Sequence, residues 1–512
     1  MFDSLKNLFI KKAKTNLELL EKMTFGKDTA ENEDNLADYF LETRIWSQIK
    51  QQEKYLILGS KGAGKSALYR MLQNEEQILK KNNIFLIGAV QVRGEAAFSK
   101  LAHQKEVQRA FLDEEDMKNL WKLYFIQLIT DKLIEEKKVN HEIQKIINIL
   151  ISNHLSSQNK KTSLEDKIYN AFKFIDAIKD FELSVAPNPI SVIQGAIKIS
   201  FRDTQNNDEI LSIDHLFRTI NQYLLTQKKT VLISIDRLDA SFQDNTELEK
   251  NALRSLLKVL LDFTSYENIK LIIFLRADIW KLITKDGFRE LTHIDYEEII
   301  WTKDNLYQLL IKRLSDNKEL LKTYKINKKT LLEDKKIQEK IFLKLFPLKV
   351  NQGEKESKTF DWMISRLKDG TEHIQPRDLI FFSNTLIKES IDKLNNIGSS
   401  NEISDESIFK KDVFIKALKK VADKRLESNL YAEYPHLTNY IKSFSKQKAE
   451  HTLETLLKLW KTDKEGATNI AEELTNIGFF NEKDEKFVIP YLYRNSSLEI
   501  KNGKQSPLLT SN

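Results

Sequence analysis

The stretch Tyr55-Leu-Ile-Leu-Gly-Ser-Lys-Gly-Ala-Gly-Lys-Ser66 joins a short apolar run to a glycine-rich octapeptide. Its last residues, Gly59, Ser60, Lys61, Gly62, Ala63, Gly64, Lys65 and Ser66, fit G-x-x-x-x-G-K-[ST] at every constrained position. The flanks fit as well. An apolar strand enters the motif, and beyond Ala67 the residues Leu68, Met71 and Leu72 recur at helical spacing. Glycines let the backbone N–H groups turn inward around an anion, and the following helix adds its positive end. Residues 59–67 therefore predict a cradle for a nucleoside triphosphate with Mg²⁺. Lys65 would reach the β- and γ-phosphates and the Ser66 hydroxyl would ligate the metal.

Such a site needs a carboxylate on a neighbouring strand. Val231-Leu-Ile-Ser-Ile-Asp236 is an apolar run ending in an acid, which makes Asp236 the expected Mg²⁺-side carboxylate. Asp239, three residues on, is placed to orient or deprotonate an attacking water. Many ATPases of the additional-strand class carry Glu directly after the metal-side Asp, whereas here that place is Arg237. The next apolar run, Leu271–Leu275, ends at Arg276. A charge at the C-terminal edge of such a sheet faces the ligand crevice, so Arg276 is a candidate for the γ-phosphate; pairing with Asp278 is the alternative. Gln375-Pro-Arg-Asp378 opens an apolar helix, and Arg377 is a second candidate sensor.

Strands alternate with amphipathic helices around these motifs, His215–Leu225 and Glu247–Phe263 being the clearest helices. That pattern predicts an α/β P-loop NTPase core, a parallel sheet between helices. The chain divides by pattern into an N-terminal helical segment (1–53), a first part of the core (54–95), a helical insertion (96–205), a second part of the core (206–300), a helical lid (301–392) and a mostly helical, winged-helix-like C-terminal domain (393–512). The insertion is too long for a plain loop and is expected to form its own subdomain. Within it, Pro187 and Pro189 between β-branched runs suggest a hairpin.

Taken in order, the P-loop, Ile-Asp-Arg-Leu-Asp239, Phe-Leu-Arg-Ala-Asp278, Trp301-Thr302 before a helix with Arg313, and Pro376-Arg-Asp378 resemble prokaryotic P-loop ATPases near the STAND, KAP and origin-recognition-like AAA+ families. The resemblance covers residues 36–390, with a weaker echo to about 500. It implies ATP rather than GTP, and no guanine-reading Asn-Lys-x-Asp motif is present. It also implies a helical lid, a winged-helix-like module, sensor roles for Arg276 and Arg377, and a nucleotide-controlled switch of the kind found in antiviral defence loci. The expected partners are further copies of the chain and a separate effector protein, with nucleic acid open. Arg254 and Arg289 are undistinguished candidates for an inter-subunit arginine finger.

Composition bounds these readings. The 512 residues exceed one ordinary core. The absence of cysteine excludes disulfides and thiolate metal centres, and the eight histidines show no helical metal-ligand spacing. A net charge of +6 is a mild excess. The lysines at 328–336 read as a solvated face. No apolar run reaches membrane-spanning length and no signal peptide is evident, so a cytoplasmic protein without membrane partners is expected. The first helix, Phe2–Met23, is amphipathic and reads as docking onto the body or a sister subunit in preference to a membrane surface. The helix expected at Glu465–Leu474 carries Glu465, Glu472 and Glu473 and no Lys or Arg, which favours packing or protein binding over DNA reading.

Overall fold

The computed structural model describes residues 16–89, 114–137, 139–156, 166–167, 169–175, 200–202, 210–236, 246–284, 287, 292–351, 353–396 and 407–502. The expected hairpin around Pro187 and Pro189, most of the Phe2–Met23 helix, and Arg237, Asp239 and Arg289 lie outside the described residues. The chain divides into two compact units. One comprises Arg44–Ser60 and Lys65–Ile299. The other comprises the N-terminal residues up to Thr43, the short segment Lys61–Gly64, and everything from Ile300.

In the first unit five strands form one sheet: β1 (Leu56–Gly59), β2 (Ile84–Gly88), β5 (Thr230–Ile235), β6 (Ile269–Arg276) and β7 (Tyr296–Glu298). Their order is β2-β5-β6-β1-β7, and every pair is parallel. Leu56–Leu58, Val231–Ile233 and Leu271–Leu275 are buried because both sheet faces are covered, the condition that uninterrupted apolar strands satisfy. β6 separates the P-loop strand β1 from β5, the strand that ends at Asp236. This is the additional-strand arrangement of a P-loop NTPase core. A short antiparallel pair, β3 (Ser200–Arg202) and β4 (Ile210–Ser212), precedes the Ile213–Thr226 helix.

The helix Glu114–Glu135 is buried nearly all round and shares one apolar core with the sheet. Trp121, Tyr124 and Phe125 are core side chains there, with Phe125 and Phe263 rings 5.7 Å apart. The indole N–H of Trp121 donates to the Ala252 carbonyl at 2.9 Å, and buried Lys122 pairs with Asp214 and Asp262 at 2.8 and 2.7 Å. Buried polar groups are thereby satisfied, as a dry core requires.

The second unit is helical apart from one small sheet. Helices Lys303–Leu314, Thr359–Leu367, Pro376–Asn396 and Lys411–Arg425 pack around Trp362, Phe346, Phe382 and Phe414. Thr302 starts the first of them by accepting the Asn305 N–H at 3.1 Å. Leu19, Leu20 and Met23 contribute to the same core. At the C-terminal end come β8 (Glu450–His451), helices Leu453–Trp460 and Lys464–Asn476, then β9 (Asn481–Lys483) and β10 (Lys486–Val488). These strands pair antiparallel in the order β8-β10-β9, a winged-helix-like module whose wing is the β9–β10 hairpin. No described helix is long and apolar enough to cross a membrane.

The loop between the Thr359–Leu367 and Pro376–Asn396 helices meets this module at Gly370. Its N–H donates to the Gly478 carbonyl at 2.7 Å, and a Cβ at Gly370 would sit 1.9 Å from the Phe480 carbonyl oxygen. Only glycine permits that approach. Gly370→Ala is therefore expected to lower unfolding free energy by at least about 1–3 kcal/mol, read as a reduced urea midpoint; an unchanged midpoint would show that the backbone yields without cost.

Candidate functional site

β1 delivers the chain to Gly59, and the Lys65–Asn74 helix begins five residues after Ser60. Between them Gly62 and Gly64 adopt φ of +87° and +109°, conformations that L side chains rarely take. Lys65 folds back so that its Nζ donates to the carbonyls of Gly59 at 2.8 Å and Ser60 at 3.1 Å. The ammonium is thus held at the start of the loop, and Ser66 and Ala67 stand in the first turn of the helix, at its positive end. Ser66 brings a hydroxyl to the end of the helix that attracts anions.

Sheet register places the other groups. Gly59 lies directly beside Arg276, the last residue of β6. Arg276 makes a two-pronged pair with Asp278, Nε to Oδ1 at 3.1 Å and Nη2 to Oδ2 at 2.6 Å. The alternative weighed for Arg276 is therefore realised in this structure, at the strand edge where a ligand-facing role was also expected. Asp236 follows β5 directly and is 4% exposed. Asp239 is not among the described residues.

Three residues not singled out from the sequence join the P-loop helix to the end of β5. Tyr69, one turn into the P-loop helix, has its phenol pushed up to about 12 by burial and by the Asp236 charge, against a lowering hydrogen bond with Ser234. Gln73, four residues further along the helix, donates to the Ser234 Oγ at 2.9 Å, and Ser234 donates to the Ile87 carbonyl at 3.3 Å. The i, i+4 spacing of Tyr69 and Gln73 was available in the sequence, but nothing marked that face as turned toward β5.

The segment Lys61–Gly64 groups with the second unit. The Trp301 indole N–H donates to the Ala63 carbonyl at 2.8 Å. Lys61 pairs with Glu433 and donates to the Ser428 carbonyl at 3.1 Å. A Cβ on Gly62 would lie 2.7 Å from Gln375 Oε1 and 3.3 Å from Arg377 Cβ. Arg377 is thus brought beside the loop it was expected to serve. Arg254, the described finger candidate, donates to the Ile283 carbonyl at 2.8 Å.

Among the described residues no three His, Asp or Glu side chains cluster as an all-protein metal cage. The candidate oxygen donors are the buried Asp236 carboxylate and the Ser66 hydroxyl. Hard oxygen donors of this small number fit Mg²⁺, which keeps several waters and takes the rest of its shell from phosphates.

No family model matches the chain, and no curated protein matches it. Solved structures do. A Walker-type ATPase of Pyrococcus abyssi aligns at 13% identity over 90% of this chain and 96% of that one, with a TM-score of 0.39. The Aeropyrum pernix ORC1 protein, solved in complex with DNA, aligns at 10% identity over 92% and 95%, with a TM-score of 0.37. Cdc6p from Pyrobaculum aerophilum aligns at 9% identity over 90% and 96%, with a TM-score of 0.30.

Trp301→Phe keeps an aromatic ring, though a smaller one, and removes the indole N–H that donates to Ala63. Loss of that hydrogen bond is expected to cost about 1 kcal/mol, measurable by denaturant unfolding; equal stability would assign the contact no energetic weight.

Proposed function

We propose that this protein is a Mg²⁺-dependent ATPase whose nucleotide state switches its assembly or its contact with a partner. The observation that carries the reading is the combination of a complete P-loop at the end of β1 with a buried carboxylate, Asp236, at the end of β5, the additional strand β6 lying between them. A triphosphate needs backbone N–H groups, an ammonium and a metal-side acid, and residues 59–67 with Asp236 offer these groups. When bound, Mg²⁺ would neutralise charge developing on the phosphoryl oxygens. Lys65 would exchange its present carbonyl partners for phosphate oxygens. Asp236 and Ser66 would hold the metal's protein side. Arg276, released from Asp278, and Arg377 would read the γ-phosphate, and Asp239 would orient or deprotonate the water.

The resemblance in motif order supports placing the chain near the STAND, KAP and origin-recognition-like AAA+ ATPases, and with it a role in antiviral defence beside a separate effector. Assembly into homo-oligomers belongs to the same reading, as does a cytoplasmic location. The winged-helix-like module favours a protein partner. Its Lys464–Asn476 helix exposes Glu465, Asn469, Glu472 and Glu473 beside the single cation Lys464, and the wing residues 482–486 hold three carboxylates against two lysines. DNA phosphates would be repelled by such a face.

A second reading rests on Arg237. With Arg where many relatives of this class carry Glu, ATP would stabilise an assembly or a nucleic-acid platform with little turnover.

Hydrolysis by the purified chain, beside Lys65→Ala, Asp236→Ala and Asp239→Ala and with or without DNA or RNA, separates the two. The switch ATPase is expected to lose at least about 100-fold in turnover in each variant. Tight ATP binding with negligible wild-type turnover would sink it in favour of the platform. Unchanged turnover in Asp239→Ala alone would remove that residue from the mechanism.

A further inference from the structure

Gln375 is the last residue before the Pro376–Asn396 helix, and its backbone carbonyl accepts the N–H groups of Asp378 at 3.0 Å and Leu379 at 3.3 Å. Its main chain is therefore fixed by the helix it starts. Its side chain is 4% exposed, and among the described residues Oε1 has no hydrogen-bond donor. That oxygen is held against Gly62, at the tip of the P-loop. A buried acceptor without a donor is costly.

The loop that ends at Gln375 begins at Asp369, and this other end is stitched to the winged-helix-like module. Gly370 makes the close backbone contact with Gly478 and Phe480 described above, and Asn481 Nδ2 donates to the Gly370 carbonyl at 3.1 Å. The two ends are locked together by Arg425. Its Nη2 donates to Asp369 Oδ2 at 2.9 Å, and its Nε lies 3.5 Å from Asp378 Oδ2. All three side chains are buried. Burial raises the Asp378 carboxyl while Arg425 opposes it, and the Arg425 cation is held more firmly than usual because Asp378, Tyr493 and Asp369 outweigh its own desolvation. Removing one member would strand a buried charge, so the three are costly to separate. Arg425 also closes the Lys411–Arg425 helix, and the π-helical turn that follows, Leu426–Tyr431, supplies the Ser428 carbonyl that receives Lys61. Every residue named here belongs to one compact unit.

We infer that residues 369–378 form a lever that reports the conformation of the P-loop tip to the winged-helix-like module, with Gln375 as the side chain that senses Gly62. The inference rests on the reading that the P-loop binds nucleotide. Gln375 Oε1 stands 2.7 Å from where a Gly62 Cβ would be, so a shift of the Gly62 peptide meets it. Held at both ends, the loop passes that shift to Gly370 and the wing. Packed contacts of this kind switch between discrete arrangements rather than bend continuously. Gln375 is a positioning residue in this scheme and touches no reacting atom.

The test is hydrogen exchange by mass spectrometry on the full chain with Mg²⁺ and a non-hydrolysable ATP analogue, reading two regions. Protection of residues 59–67 reports binding, and exchange in 464–488 reports the module. In wild type both are expected to change, the module by about fivefold, at the low end of allosteric coupling. In Gln375→Ala the P-loop protection is expected to persist and the module's response to vanish. Gln375→Met, which restores bulk against Gly62, is expected to restore it. Protection at 59–67 in wild type with no response in 464–488 overturns the lever and leaves nucleotide binding standing, and this outcome requires no variant to fold. A full module response in a folded Gln375→Ala also overturns it. No protection at 59–67 overturns the nucleotide reading, and the lever falls with it.

Discussion

Gly62 and Gly64 carry φ of +87° and +109° within a connection that must leave β1 at Gly59 and begin a helix at Lys65. Side chains with a Cβ resist that backbone, so the turn depends on glycine at both places. Two further requirements converge on Gly62. Its lack of a side chain admits Gln375 and Arg377 to the loop tip, where a Cβ would stand 2.7 Å from Gln375 Oε1. The same turn carries Lys65 back onto the carbonyls of Gly59 and Ser60. Sheet register does the rest in the first unit. Because β6 pairs with β1 in parallel, register alone places Arg276 beside Gly59.

How much of this was legible in the sequence follows from how local each signal is. The P-loop is a contiguous pattern with its own conformational logic, so it was readable outright. The strands at Val231–Ile235 and Leu271–Leu275 were readable because two-sided burial leaves uninterrupted apolar runs; their observed limits, Thr230–Ile235 and Ile269–Arg276, differ only at the ends. The order β2-β5-β6-β1-β7 was not readable, since alternating strands and helices predict a parallel sheet but not which strand neighbours which. Tyr69, Gln73 and Ser234 were missed for a related reason. A tyrosine and a glutamine on an amphipathic helix look like ordinary boundary positions until the helix is seen lying toward β5. Gln375 was quoted only as part of a helix start, because its partner Gly62 is remote in sequence. For Arg276 the sequence left two partners open, and the Asp278 pair is the one this structure contains.

Two buried arginines organise the second unit. Arg313 pairs with Glu33 at 3.5 Å, donates to the Phe25 and Lys27 carbonyls, and lies over the Tyr39 ring, so it ties the N-terminal residues to the Lys303–Leu314 helix. Arg425 ties the loop 369–378 to its own helix end. Buried ion pairs of this kind are weak contributors to net stability, since desolvation offsets the attraction. What they do well is reject alternatives: any packing that separates Arg425 from both Asp369 and Asp378 leaves charges in an apolar interior. Flexible apolar contacts alone would leave the lid and the module with many near-equivalent packings. The arginines select one, and a selected packing is what a conformational signal requires.

The surface charge adds a constraint on partners. Residues 318–344 hold nine lysines against four carboxylates, nearly the whole net excess of the chain. Lys329, Lys335 and Lys336 are exposed there, while Lys328 is engaged by Asp316 at 3.2 Å. The winged-helix-like module has the opposite character, with Glu465, Glu472 and the wing carboxylates facing water. A helix that read DNA bases would have to approach phosphates with this face, and the repulsion would oppose every step of the approach. A protein surface bearing lysine or arginine meets no such barrier, and charge complementarity would steer it to the module. The same module is the one stitched to Gly370 and, through Arg425, to the helix start beside the P-loop. The acidic module and the glycine turn are thus joined by one run of contacts through Gly370, Asp369 and Arg425.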